Sequence, residues 1–440
     1  MNKILLLSTL TSAALFAVAP VVKPAQERTF SQSQFMPDMS AIVDFSYVNH
    51  SISDADLQHL SIPGVTEGFY GSHDHGGNSE STYNANNGFN LNYVELVLSS
   101  NVDPYFSVDA VFHFSPEGVE VEEGYFTTTA LENGFRIRGG KLLSEFGRIN
   151  QQHHHFWDFG NAPLVNEAFF GTHGINELGM QLQWVAPTPM YLMLGAEALQ
   201  GTNEAMFGNA QISDPNSPDP EDPTILGEEI TAPSLFVGYV KSSFDVGSTT
   251  ILPGLSLAQG SSRLDHFEDA EHANAFAGDS SVYGADLTVK HFFNSYSFLS
   301  WQSEWIMRNM DGTGYHNDAG TLQGSPLEKE QAGYYAQLVY AYDQNWRFGV
   351  RYDSIYLNDL TLDGISQTVV DPEAANPVST SEDFDRYSVM SEYHLSEFSR
   401  IRLEYNHNTA LYSEDGDRQN LDTVMLQFNL SIGAHAAHDF

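Results

Sequence analysis

Cysteine is absent from this 440-residue chain, which excludes disulfide staples, thiolate metal sites and cysteine nucleophiles. Cations are scarce: Lys and Arg total 18 against 57 Asp and Glu, a formal net charge of −39. A nucleic-acid partner would need a basic footprint, and none is present. Beyond the N-terminus no stretch approaches the roughly 18 apolar residues of a membrane helix. Catalytic motifs are missing as well. There is no GxSxG elbow, and Gly139-Gly140 leads into neither a helix nor the Gly-Lys-Ser/Thr of a phosphate loop. Ser and His are plentiful, but nothing singles out a catalytic set, so the chain is read as non-enzymatic.

What is present is apolar, aromatic and periodic. Hydrophobic residues make up 41% and aromatics 12%, too many for a disordered chain. Lys3 precedes the apolar run Ile4 to Ala19, the charged and apolar regions of a secretory signal. Residues 1–25 are therefore expected to be a signal peptide, cut after Ala19 or Ala25, with one barrel over 38–440. Within that span, apolar residues recur at period two. Phe106, Val108, Ala110, Phe112 and Phe114 oppose Ser107, Asp109 and His113. Leu338 and Tyr340 oppose Gln337, and Phe348 and Val350 oppose Arg347, Gly349 and Arg351.

Such segments start near residues 38, 88, 104, 119, 134, 175, 189, 233, 248, 281, 296, 330, 346, 384, 399 and 421. Those near 119, 134, 233 and 248 are ambiguous in face. Short turns, as at Asn101–Pro104, Phe293–Ser295 and Asp343–Asn345, alternate with longer polar loops at 51–87, 145–174, 200–232, 260–280, 310–329, 358–383 and 409–420. Only Ser115–Gly118 is short where a long loop is due. Segregation of loop length by parity predicts an all-β fold: a transmembrane antiparallel up-and-down barrel of about 16 strands in a Gram-negative outer membrane, with short periplasmic turns and long extracellular loops. The chain ends on Phe440 with apolar residues two apart before it, like the terminal strand that barrel-assembly machinery uses. Outer-membrane lipid is the expected surround, and a homotrimer is compatible with the pattern. Strands beginning by residue 38 leave no room for an N-terminal plug, which favours passive passage of small solutes or ions.

The stretch Gly139-Gly140-Lys141-Leu142-Leu143-Ser144-Glu145-Phe146-Gly147-Arg148, followed by Gln151-Gln152-His153-His154-His155-Phe156-Trp157-Asp158-Phe159 and Ala162-Pro163-Leu164-Val165, resembles a proteobacterial family labelled zinc-regulated TonB-dependent outer-membrane receptor. More distantly it resembles phosphate-selective porins. The resemblance is strongest over about residues 88–200 and at the C-terminus. The label implies zinc-linked uptake, whereas the missing plug departs from an energy-coupled receptor. In the 16-stranded porins the chain resembles, the third long-side loop folds inward and narrows the pore, and 145–174 is that loop here. Its Phe146, Phe156, Trp157, Phe159, Leu164, Phe169 and Phe170 need packing partners.

That loop brings Glu145, Asp158 and Glu167. Arg347, Arg351, Arg386, Arg400 and Arg402 fall on inferred lumen faces eight strands away, diametrically opposite in a ring of sixteen. Two readings stand. Loop acids and wall arginines face each other across a constriction and set up a transverse field, or Asp353, Glu392 and Glu404 neutralise the arginines in place. The first predicts a mild cation preference at the pore. Histidine adds a further candidate: His73 and His75 in the first long loop and His153 and His155 in the third could bring imidazoles to a divalent ion. His266, His272 and His316 lie in other long loops. No cofactor is required, and weak Zn²⁺ binding is as far as spacing goes.

Overall fold

The computed structural model describes residues 37–66, 83–203, 205–219, 222–267, 274–318, 320–370 and 375–433. The expected signal peptide, His73, His75, His272 and Phe440 lie outside the described residues.

Period-two alternation becomes sixteen long strands. They are β1 (Asp38–His50), β2 (Gly88–Asn101), β3 (Phe106–Phe114), β4 (Val119–Thr128), β5 (Phe135–Leu143), β6 (Asn176–Val185), β7 (Tyr191–Leu199) and β8 (Leu235–Val246). Then come β9 (Thr249–Asp265), β10 (Asn274–Phe292), β11 (Phe298–Asp318), β12 (Thr321–Ala341), β13 (Trp346–Leu362), β14 (Phe384–Ser396), β15 (Ser399–Tyr412) and β16 (Arg418–Gly433). Each pairs antiparallel with its sequence neighbour, and β16 closes onto β1 from Gly433 opposite Ser40 to Thr423 opposite His50. Closure leaves no unpaired edge, which a backbone in hydrocarbon requires. The only helices among the described residues are short: α1 (Asp54–Leu57) and α2 (Leu164–Phe170), with one 3₁₀ turn at His154–Phe156.

The outer face is the one a bilayer demands. Leu338 and Val350 are 39% and 51% exposed, while Gln337 between their strands' inward positions is 3% exposed. Tyr105, Tyr296, Tyr342 and Trp346 sit exposed beside the short turns, and Tyr356, Tyr387 and Tyr405 further along the strands. These are two aromatic girdles around an apolar band, the exterior of a transmembrane barrel.

Two expected loops are corrected. Residues 260–280 and 310–329 are largely continuations of β9–β10 and β11–β12, paired out to Asp265 opposite Ala275 and Asp318 opposite Thr321. β11 and β12 run 21 residues each, about twice what crosses a membrane. Outside lipid both faces are wet, so the apolar alternation stops although the pairing does not.

Candidate functional site

The lumen is occupied by the segment joining β5 to β6. At its neck Asn150 Nδ2 donates to the Ser144 and Ile175 carbonyls at 2.9 and 3.1 Å, and its Oδ1 accepts from Ile175 N at 2.7 Å. Gly147 turns there with φ +63, and a Cβ would lie 2.4 Å from Glu304 Oε2, so only glycine fits. Pro163 precedes α2 in extended conformation and Gly171 ends it at φ +77. All of Leu164, Val165, Ala168, Phe169 and Phe170 are buried, with α2 packed against β11, β12 and β13. Of the aromatics expected to need partners, all but Phe156 are buried.

A second segment joins it, unforeseen in the sequence. Leu57, Leu60, Ile62 and Val65 from the first long loop belong to the same apolar cluster as α2. Wall side chains hold that segment by its backbone: Arg308 Nη2 donates to Val65 O at 2.8 Å, Gln331 to Gly64 O at 2.8 Å and Asn358 to Pro63 O at 2.9 Å.

The five arginines do line the lumen on β13, β14 and β15, but they do not face the loop acids across an open gap. Four of them grip the loop's main chain, and Arg347 lies against the wall's Glu392. Arg400 donates to His155 O at 2.7 Å, Arg402 to Trp157 O at 2.7 Å and Arg351 to Asn161 O at 2.9 Å, while Arg386 reaches Ala162 O. Wall carboxylates balance them: Glu392 lies 2.9 Å from Arg402 and 3.2 Å from Arg400, and Asp353 lies 3.0 Å from Arg351 and 3.3 Å from Arg386. Loop amides complete the acids, Leu164 N donating to Asp353 at 2.8 Å and Gly160 N to Glu404 at 2.7 Å. Neutralisation in place is thus the larger effect.

Among the loop acids, Glu167 meets the wall, 3.4 Å from Arg386, and Asp158 accepts from Gln337 at 2.8 Å. Burial pushes both carboxyls above their ordinary range, opposed by Arg347 at Asp158 and by Arg386 at Glu167. Glu145 departs from expectation. It stays on its own side with Lys241 at 2.8 Å and Arg138 at 3.8 Å. Arg347 alone of the five is substantially exposed, its side chain at 28%. Partly exposed with it are Arg136 and Arg138 on β5, Lys241 on β8 and Lys290 on β10. Arg136 and Arg138 lie two apart on β5, in the segment near 134 whose face the alternation leaves ambiguous, which is why the sequence does not place them.

The histidines divide. His154 stacks on Tyr83 with centroids 4.2 Å apart and donates through Nε2 to Gly160 O at 2.9 Å, a structural role. His153 and His155 converge on Glu95 of β2, each placing Nδ1 3.3 Å from Glu95 Oε2. His113 Nε2 of β3 lies 3.1 Å from the same oxygen, and His153 Nε2 lies 2.8 Å from Glu123 Oε2 of β4. Glu122 continues the chain, 3.6 Å from His113 and 3.9 Å from His173. Although burial lowers the pKa of a histidine, Glu95 and Glu123 hold His153 well above its usual value; at His155 burial wins and the pKa is lowered. His266 and His316 stand apart from this group, His316 paired opposite Asn274 in the β10–β11 extension.

The fold and this filled lumen define a class: a closed, lipid-facing sixteen-stranded barrel with an inward-folded third loop. An uncharacterized protein of Aquifex aeolicus (strain VF5) is 43% identical over 421 residues, spanning 94% of this chain and 82% of that protein, and the chain belongs to its family. No family model matches the sequence. Among solved structures, the outer membrane channel DcaP of Acinetobacter baumannii covers 91% of this chain and 99% of its own at 12% identity and TM-score 0.48. An anion-selective porin from Comamonas acidovorans covers 90% and 98% at 11% identity and TM-score 0.48. The loop L8 deletion mutant of OmpT from Vibrio cholerae covers 90% and 98% at 10% identity and TM-score 0.47.

Proposed function

We propose that this protein is an outer-membrane porin-type channel for passive diffusion of small hydrophilic solutes or ions, exported by a signal peptide. The observation that carries the reading is the β5–β6 loop lodged inside a charged lumen, against the β13–β15 wall. A barrel that served only as an anchor would have no use for so many charges on its inner face. The lumen is narrowed by the loop, with Asp158 and Glu167, clamped onto the wall of Arg351, Arg386, Arg400 and Arg402, while Glu145 beside Lys241 and the partly exposed Arg347 flank that contact. What the loop leaves for solutes runs past the β5–β10 side, where Arg136, Arg138, Lys241 and Lys290 are partly exposed. Its surroundings are outer-membrane lipid, and its assembly uses the barrel machinery through the last strand. Chemical cross-linking in native membranes tests for the homotrimer.

Planar-bilayer recording of the purified barrel tests the channel itself. Discrete, stable open steps are expected. Silence from correctly folded protein, judged by its strand signal and its resistance to detergent, sinks the reading.

A further inference from the structure

We propose that Glu95, His153 and His155 form a binding site for one divalent transition-metal ion of the imidazole-preferring kind, with Zn²⁺ as the reference ion. This goes beyond the channel reading and does not rest on it, since an ion can sit in the wall of a barrel that conducts nothing.

A tetrahedral ion with bonds of about 2.0–2.1 Å sets its ligand atoms about 3.3–3.4 Å apart. Nδ1 of His153 and Nδ1 of His155 each lie 3.3 Å from Glu95 Oε2, and one ligand atom from each of the three residues falls within 4.8 Å of the others. Two of the three donor separations thus already match those around a tetrahedral ion. Two imidazoles and a carboxylate are a donor set suited to Zn²⁺, Ni²⁺ or Cu²⁺ and poorly suited to Ca²⁺ or Mg²⁺.

Glu95 is 0% exposed, yet its Oε1 makes no hydrogen bond, and the 9% exposed His155 has at Nδ1 only the 3.3 Å approach to Glu95 Oε2. Buried polar atoms left so are costly and ask for a partner. His153 Nε2 is 2.8 Å from Glu123 Oε2, the carboxylate–histidine pairing that orients a metal-bound imidazole and fixes its tautomer. His113, 3.1 Å from Glu95 Oε2 and stacked on Tyr93 at 4.4 Å, positions the carboxylate.

Equilibrium dialysis of the purified full-length barrel against ZnCl₂, with metal counted by atomic emission, tests the site. One Zn²⁺ per chain is expected, displaced by Cu²⁺ and not by equal concentrations of Ca²⁺ or Mg²⁺. Glu95→Gln and His155→Ala should each weaken binding at least tenfold, and Glu123→Gln by about tenfold. The Co²⁺ form should show the visible ligand-field band of a tetrahedral site, lost in His155→Ala. Should Glu95→Gln fail to fold, His155→Ala and the wild-type cobalt spectrum decide. Absence of stoichiometric binding by folded protein overturns the proposal. So does stoichiometric binding that survives His155→Ala undiminished, which would place the ion on other histidines.

Discussion

One carboxylate, Glu392 on β14, gathers Arg402 at 2.9 Å and Arg400 at 3.2 Å on Oε2, and Arg347 at 3.7 Å together with His394 on Oε1. The three arginines are not equivalent. Arg402 is fully buried and also donates to Gln427 and to Trp157 O. Arg402→Ala should cost about 3 kcal/mol in urea unfolding, because it strands a buried acceptor and a main-chain carbonyl. Arg347→Ala should cost under about 1 kcal/mol, since its side chain is 28% exposed and its pair long. Equal losses from the two would mean that the wall arginines do not grip the loop. Acid should act on the loop through Asp158 and Glu167. Their carboxyls, raised by burial in the folded protein, favour folding when protonated, and that contribution fades as pH rises through their folded values. The wild type should therefore gain stability relative to the Asp158→Asn/Glu167→Gln double variant as pH falls from 7 toward about 4.5. A difference between the two that is flat with pH removes burial as the cause.

At the scale of elements, the inward loop hangs on its neck. Asn150→Ala removes three hydrogen bonds there at about 1 kcal/mol each, so thermal unfolding should start earlier and single-channel steps should become larger and noisier. Unchanged steps would mean that the loop does not gate the lumen. How much of this was legible in the sequence follows from where alternation survives. All sixteen strand starts fall within about ten residues of expectation, because each strand has one face in lipid and one in the lumen. Leu338 and Val350 outside, Gln337 and Gly349 inside, were readable for that reason. β4 was not. Its register slips where Val111 opposes Glu123 and Phe112 opposes Val121, a bulge that leaves both Glu122 and Glu123 buried on one side. A period-two reading cannot place two successive residues on one face, so half of the histidine–glutamate group went unseen. Glu95 was missed for another reason: His153 and His155 reach it across 58 and 60 positions of chain, a distance only the closed barrel brings together.

For the whole molecule, the outward band and the inner wall make separable demands. Arg in place of Leu338 or Val350 should cost about 2–4 kcal/mol near the membrane midplane, whereas Gln337→Arg should act mainly on conductance; a like cost at all three would undo the assignment of faces. Ion preference pits the total charge against its placement. The formal −39 includes the carboxylates of the long loops, and the field of charges outside the lumen dies within about 8 Å at physiological salt. Sequence alone predicts mild cation preference from loop acids facing arginines. The structure seals Glu167, Arg351 and Arg386 into the loop–wall contact, where no passing ion meets them, and leaves Arg136, Arg138, Lys290 and Arg347 partly exposed. Fixed charges beside the path outweigh distant ones, so this barrel should favour anions once salt screens its rim and lose that preference as salt is lowered. Replacing Arg136 and Arg138 by Gln should move the reversal potential toward cations, and Arg351→Gln should leave it in place. A reversal potential that shifts with Arg351 and ignores Arg136 and Arg138 would route the ions between loop and arginine wall, and the path past β5–β10 would be wrong.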